Sequence, residues 1–253
     1  MEKEELDLSE QVTGGSISRV VRVLAILLIG FAIISLALFN SQKTLADEVW
    51  NDKMTVGSME AKNYFVQYSD LACPYCNIFS KNIHDNYDEF KSKYIEGEDI
   101  LFEIRLTDFL YEYSGYGEKV RASEWGASAA YCAADEDRFS DYYYGAIDTL
   151  WNDFYSKGLG LSKTGPQIPE GSLSKEYFTK IGKKIGLGEE FEKCHAEDRH
   201  LEEIHKNAAK AQKIVGGGLP FFKFNSWTTN GFDTSWGWDY NEKYFESGLK
   251  SKK

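Results

Sequence analysis

Cysteine is scarce in this chain, with four residues in 253, and the pair in Cys73-Pro74-Tyr75-Cys76 has no second C-x-x-C to accompany it. A zinc site made of two such pairs is therefore excluded, and a metal at Cys73 and Cys76 would have to borrow ligands from Cys194, His195, His200 or His205. Basic blocks are missing too. A formal charge of -11 with nothing to offset it locally argues against nucleic acid and against an electrostatic grip on anionic lipid. No segment repeats at a solenoid period, and none of the four histidines stands in a hydrolase motif.

What is present is a globular composition, 42% hydrophobic and 15% aromatic. One stretch departs from it. Residues 23 to 39, "VLAILLIGFAIISLALF", carry no charge, and with Val20 and Val21 they are long enough to cross a bilayer core of about 30 Å. Arg19 and Arg22 precede the run, which places residues 1–18 in the cytosol and the rest outside, against a weak counterweight from Lys43 and Lys53. A cleaved signal peptide ending at "TLA" before Asp47 is the competing reading. The run exceeds the usual apolar core of a signal, so a retained anchor over residues 19–40 is expected, with everything after it extracytoplasmic. Either reading predicts an oxidising compartment, where paired cysteines are at home.

Residues 1–18 are acidic and aperiodic, hence a tail, and residues 41–54 read as a polar linker. Regular patterning begins near residue 55. "NYFVQYS" (63–69) and "ILFEIRL" (100–106) are expected strands. Between them Phe79, Ile83, Tyr87, Phe90 and Tyr94 recur on one helical face, giving a strand-helix-strand unit of parallel pairing. A helical block follows, with the segments 123–155, 172–188 and 199–218; in the last, Leu201, Ile204, Ala208 and Ala211 form a stripe. "PFFKFN" (220–225) returns to strand, and "NEKYFESGLK" is a last helix. The fold class expected is an α/β sheet interrupted by helices at about 115–213, within a domain spanning 55–253. Trp227, Trp236 and Trp238 are expected to pack on the sheet, with a peptide-binding rim as the alternative, and His84 is expected at the surface.

Cys73 precedes a helix that Pro74 suits as first residue, because a proline there forfeits no hydrogen bond. Its sulfur would face unpaired N–H groups and the positive end of the helix dipole, both of which favour thiolate. A thiolate so stabilised is a good leaving group, so the Cys73-Cys76 disulfide would oxidise substrate thiols, with Cys76, one turn in, as the resolving thiol. A disulfide closing so short a loop would stabilise little, so redox chemistry is the better use of the pair. Cys132 and Cys194 are either two buried free thiols or a bridge closing a long loop and contributing about 4 kcal/mol.

"YSDLACPYC" after a strand, "FEIRLTDF" as the next strand, "ASAAYCAADEDRFSDYY" opening a helical insertion and "KIVGGGLPFFKFN" resuming the sheet together resemble the DsbA-like branch of the thioredoxin superfamily, over about residues 54 to 249. The resemblance implies a thioredoxin-like fold and thiol-disulfide oxidoreductase activity without a cofactor. It implies a cis proline facing the active-site cysteines, matched by Pro220 after Leu219, with Pro74, Tyr75, Leu219 and Pro220 as substrate-binding positions. It implies reduced secreted proteins as substrates and a membrane quinone-linked partner for reoxidation. Isomerase or reductase activity, or a redox-silent tethered binding module with a metal at the C-x-x-C, are the alternatives. Two departures stand out. The family often has a buried carboxylate where this chain has Gln67, which cannot titrate, so that Asp70 or water takes over proton transfer or the transfer is slower; and Leu219 replaces a frequent threonine.

Overall fold

The computed structural model describes residues 24, 27–28, 45–109, 121–162, 164–216, 218–230 and 237–251. The chain divides into two units, Met1–Glu48 and Val49–Lys253. In the first, Leu24, Leu27 and Leu28 are helical and exposed, and Leu45–Glu48 forms one helical turn. The expected tail and most of the expected anchor, 19–40, lie outside the described residues. Among the described residues no helix is long and apolar enough to cross a membrane. Residues 49–54, read from sequence as the end of a linker, belong to the second unit, where Met54 is buried and the backbone N–H groups of Trp50 and Asn51 donate to Glu103 Oε1.

The second unit is built on a five-stranded sheet. In chain order its strands are β1 (Thr55–Val56), β2 (Asn63–Ser69), β3 (Ile100–Leu106), β4 (Phe221–Phe224) and β5 (Trp227–Asn230), and their spatial order is β1-β3-β2-β4-β5. β2 and β3 are parallel, Phe65 opposite Phe102, as the strand-helix-strand reading requires; the other pairings are antiparallel. Every residue of β2 and β3 is buried, which is why both read as runs rich in aromatic and branched residues.

One face of the sheet is apolar. Phe65 packs on Phe102, Phe222, Phe224 and Phe245, and Phe79 sits over Phe222 with ring centroids 4.5 Å apart. Phe79 belongs to α1 (Pro74–Asp85) and Phe245 to α7 (Trp238–Lys250), so these two helices cover that face. Gly248 lets α7 lie flat on β4, since a Cβ there would overlap the Phe224 ring. The other face holds charge: Arg105 Nε donates to Glu103 Oε2 at 2.7 Å, Nη1 and Nη2 reach the Tyr68 and Tyr64 hydroxyls at 2.8 and 2.7 Å, and the guanidinium lies 4.2 Å over the Trp50 ring. That buried pair is tolerable because hydrogen bonds surround it.

The expected helical face from Phe79 to Tyr94 is split. α1 ends at Asp85, because the Asn86 side chain turns back to donate to the Asn82 carbonyl at 2.8 Å. A short helix Tyr87–Phe90 and a π-helical turn Lys91–Gly97 carry the remaining rings. The helical block contains α2 (Ala122–Asp135), α3 (Phe139–Asp153), α4 (Lys175–Lys184), α5 (Glu189–Ala196) and α6 (Leu201–Gln212). Ser174 caps α4 by accepting the Tyr177 N–H, and α6 buries Ile204, Ala208 and Ala211. Cys132 of α2 and Cys194 of α5 are joined in a disulfide, which closes the free-thiol alternative.

His195 is buried beside that bridge. Its Nε2 donates to the Trp125 carbonyl at 3.0 Å and its Nδ1 lies 2.9 Å from the Thr179 hydroxyl, so both ring nitrogens are engaged inside the fold and none is left for a metal. Burial, helped by Lys175, pushes its pKa down from 6.5 to about 4. In the unfolded chain the ring titrates near its ordinary value. Stability is therefore complete above pH 6.5 and falls as pH drops toward 4, by up to about 3 kcal/mol. His195→Gln, which keeps one donor and one acceptor, is expected to remove that acid-side slope from denaturant unfolding curves taken across the window.

Candidate active site

The site begins where β2 ends. Asp70 is buried and closes a tight turn: its Oδ1 accepts the Ala72 N–H at 2.8 Å and its carbonyl accepts the Cys73 N–H at 3.0 Å. That turn sets Cys73 in extended backbone (φ -85°, ψ 117°) immediately before α1, with Pro74 as the first helical residue. Cys73 is thus the N-cap. Its Sγ accepts the Cys76 N–H at 3.3 Å, and its carbonyl accepts the Asn77 N–H at 3.0 Å to start the helix. The helix-start geometry read from C-P-x-C is present.

The second wall comes from the turn before β4. The Leu219–Pro220 peptide is cis, and the Leu219 carbonyl lies 3.8 Å from Cys73 Sγ. Pro220 is buried and Leu219 half-buried, so the structure brings Cys73, Cys76, Leu219 and Pro220 together. Both cysteines are free thiols. Both are also buried, Cys73 at 4% exposure and Cys76 at 0%, so the structure does not present Cys73 as the open nucleophile that the redox reading requires; the Leu219–Pro220 turn lies against it and must move aside for a substrate to reach the sulfur. The asymmetry between the two sulfurs nevertheless has the expected sense. Burial raises the Cys76 pKa well above that of an ordinary thiol, with the Cys73 sulfur and the Asp70 charge adding to the shift and the Asp70 backbone N–H opposing it.

Tyr75 is only partly available as a substrate contact: its hydroxyl donates to the Leu161 carbonyl at 2.9 Å, tying the C-x-x-C turn to the loop after α3. Tyr155 makes a parallel tie, donating to the Ala72 carbonyl at 3.2 Å. Sequence reasoning missed both, and missed Asn77. The Asn77 side chain is fully buried and donates to the carbonyls of Leu71 and Cys73, at 2.8 and 3.1 Å, pinning the loop that presents the first sulfur. Asn77→Ala takes the side-chain donor from the Leu71 carbonyl, while the Cys73 carbonyl keeps the backbone N–H of residue 77; the expected cost is about 1–3 kcal/mol in denaturant unfolding, with faster alkylation of Cys73 as the loop loosens.

Beneath Cys76, Gln67 Nε2 donates to Ser80 Oγ at 3.0 Å, and the Tyr143 hydroxyl bridges Ser80 (2.7 Å) and Ser69 (3.2 Å). Gln67 occupies the floor as a neutral group, while Asp70 is the carboxylate whose charge reaches Cys76. Among the described residues, the side-chain groups spaced to hold a metal ion are Cys132-Cys194-His200 and Asp108-Glu124-His205, and neither includes Cys73 or Cys76. Trp227 and Trp238 pack against the core, Trp236 lies outside the described residues, and His84 stacks on Tyr144 and meets Asp148 at 3.1 Å.

A family model described as Thioredoxin matches residues 50–225, most of the chain and all of the site just described. The chain belongs to the thioredoxin family. No curated protein sequence matches it. Several solved structures share the fold of this thioredoxin-family chain. Oxidised BdbD from Bacillus subtilis has a TM-score of 0.55 at 16% identity, covering 78% of this chain and 92% of its own. MdbA, a thiol-disulfide oxidoreductase from Corynebacterium diphtheriae, has a TM-score of 0.54 at 17% identity, covering 77% and 88%. DsbA of Chlamydia trachomatis has a TM-score of 0.53 at 16% identity, covering 78% and 90%. The fold is therefore DsbA-like.

Proposed function

We propose that this thioredoxin-family protein is a membrane-anchored extracytoplasmic thiol-disulfide oxidoreductase that donates a Cys73–Cys76 disulfide to thiols of secreted proteins. The observation that carries the reading is the placement of Cys73 Sγ at the start of α1, 3.8 Å from the Leu219 carbonyl, with Cys76 buried behind it. A substrate thiolate attacks Cys73 Sγ, the Cys73–Cys76 bond breaks, and Cys76 leaves as a thiolate. Its raised pKa means that it takes up a proton, for which Asp70 is the nearby carrier in place of the titratable group that Gln67 lacks. A second substrate thiolate then attacks the mixed disulfide, forming the substrate disulfide and releasing reduced Cys73.

The backbone carbonyl of Leu219 offers an acceptor to an extended substrate segment lying beside Cys73, and the leucine side chain supplies an apolar contact. Reoxidation requires a membrane partner that accepts the two electrons. The charge-free run at 23–39 behind Arg19 and Arg22 supports the anchor and its orientation.

Redox titration of the full-length chain against glutathione tests the direction of electron flow. An oxidase gives a potential near the oxidising end of the family scale, about -120 mV, whereas about -270 mV would make the protein a reductant. Labelling of Cys73 in intact cells by a thiol reagent that cannot cross membranes tests the compartment; protection until lysis would overturn it.

A further inference from the structure

The Cys132–Cys194 bridge has company that a purely structural disulfide does not require. One imidazole nitrogen of His200, on the turn after α5, lies within 4.8 Å of both sulfurs. Asp135, the last residue of α2, sits 2.8 Å from His200 Nε2 and 3.9 Å from Cys194 Sγ. Glu203 approaches His200 Nδ1 at 3.5 Å, and two cations border the cluster, Lys53 at 3.3 Å from the Asp135 carbonyl and Arg199 at 3.8 Å from the Asp135 carboxylate. Two sulfurs, an imidazole and two carboxylates thus converge, and the His200 side chain, 17% exposed, gives the buried sulfurs a side open to an entering ion.

We propose that when this bridge is reduced, Cys132, Cys194 and one ring nitrogen of His200 bind a zinc ion, with the carboxylate beside the other nitrogen (Asp135 at Nε2, Glu203 at Nδ1) orienting the imidazole. A dithiol reductant opens the bridge, becoming a cyclic disulfide and leaving two thiols; zinc then displaces their two protons and accepts the lone pair of neutral His200. The sulfurs of an opened bridge separate to van der Waals contact at roughly 3.7 Å, which is close to the edge of a zinc tetrahedron with Zn–S bonds of about 2.3 Å. Thiolate and imidazole are the donors zinc prefers, and a carboxylate on the ligating ring is the usual outer-shell support. The ion replaces the disulfide as the staple between α2 and α5, so the insertion stays pinned in either redox state.

The test uses the full-length Cys73→Ser/Cys76→Ser chain in detergent, so that no other thiol competes, with cobalt(II) and zinc as probes. The reduced protein is expected to take up one cobalt per chain with a thiolate-to-cobalt charge-transfer band, and the oxidised protein none. Zinc is expected to raise the melting temperature of the reduced form, or to restore its helical circular dichroism should reduction unfold it. His200→Ala is expected to weaken binding at least about tenfold. No stoichiometric uptake by the reduced protein, equal uptake by the oxidised protein, no effect of zinc on melting or helicity, or unchanged affinity in His200→Ala would each overturn the proposal.

Discussion

Cys73→Ser reduces thiol-disulfide exchange to the uncatalysed background, whereas in Cys76→Ser the reduced Cys73 still attacks a disulfide substrate, expels one of its thiols and accumulates as a mixed disulfide with the other. The two outcomes differ because the two sulfurs differ in place. Cys73 borders the Leu219–Pro220 turn and caps a helix, so it alone can meet a partner's sulfur; Cys76 is fully buried and held protonated by desolvation. With a disulfide peptide the exchange runs in reverse: Cys76 is the protein's own sulfur placed to release Cys73 from the peptide, and a serine hydroxyl there does not attack a disulfide at neutral pH, so the adduct persists until an outside thiol reaches it. Turnover of a disulfide-linked fluorescent peptide, followed by non-reducing electrophoresis, reads both effects. Equal loss in the two variants without trapped adduct would contradict the assignment of roles.

The second large effect is on stability. Cys132→Ala/Cys194→Ala is expected to cost about 4 kcal/mol, because the bridge closes a loop of sequence separation 62 and its loss frees the unfolded chain. For a unit of this size that is a drop of roughly 10 °C in melting temperature. Exchange at Cys73 should persist below the lowered midpoint, since neither bridged residue touches the site. Differential scanning of the variant and of the parent chain decides it; a shift of a degree or two would mean that packing of α2 against α5 already supplies the constraint.

Much of this was legible in the residues, for reasons that differ by element. β2 and β3 coincide with "NYFVQYS" and "ILFEIRL" because both strands are buried on both faces, which leaves runs dominated by aromatic and branched residues. The short β1 and the polar "WTTN" of β5 gave no such run, and the sheet partner rather than local pattern makes them strands. The helix break at Asn86 was hidden because the apolar period continues across it. Cys73, Cys76 and Pro220 were recognisable from motif and resemblance. Asn77, Tyr155 and the tie from Tyr75 to Leu161 were not, since each depends on a backbone carbonyl brought close by the fold, and no spacing records it. Likewise Glu103 and Arg105 read as ordinary strand charges until Tyr64, Tyr68 and Trp50 closed around them.

The most direct measurement is the relative rate at which the two thiols of the reduced full-length chain are alkylated, resolved by mass spectrometry, with the bridged Cys132 and Cys194 as unlabelled references. The account predicts that Cys73 is modified first and Cys76 only far more slowly. Modification of Cys76 at the same rate, or ahead of Cys73, would contradict it.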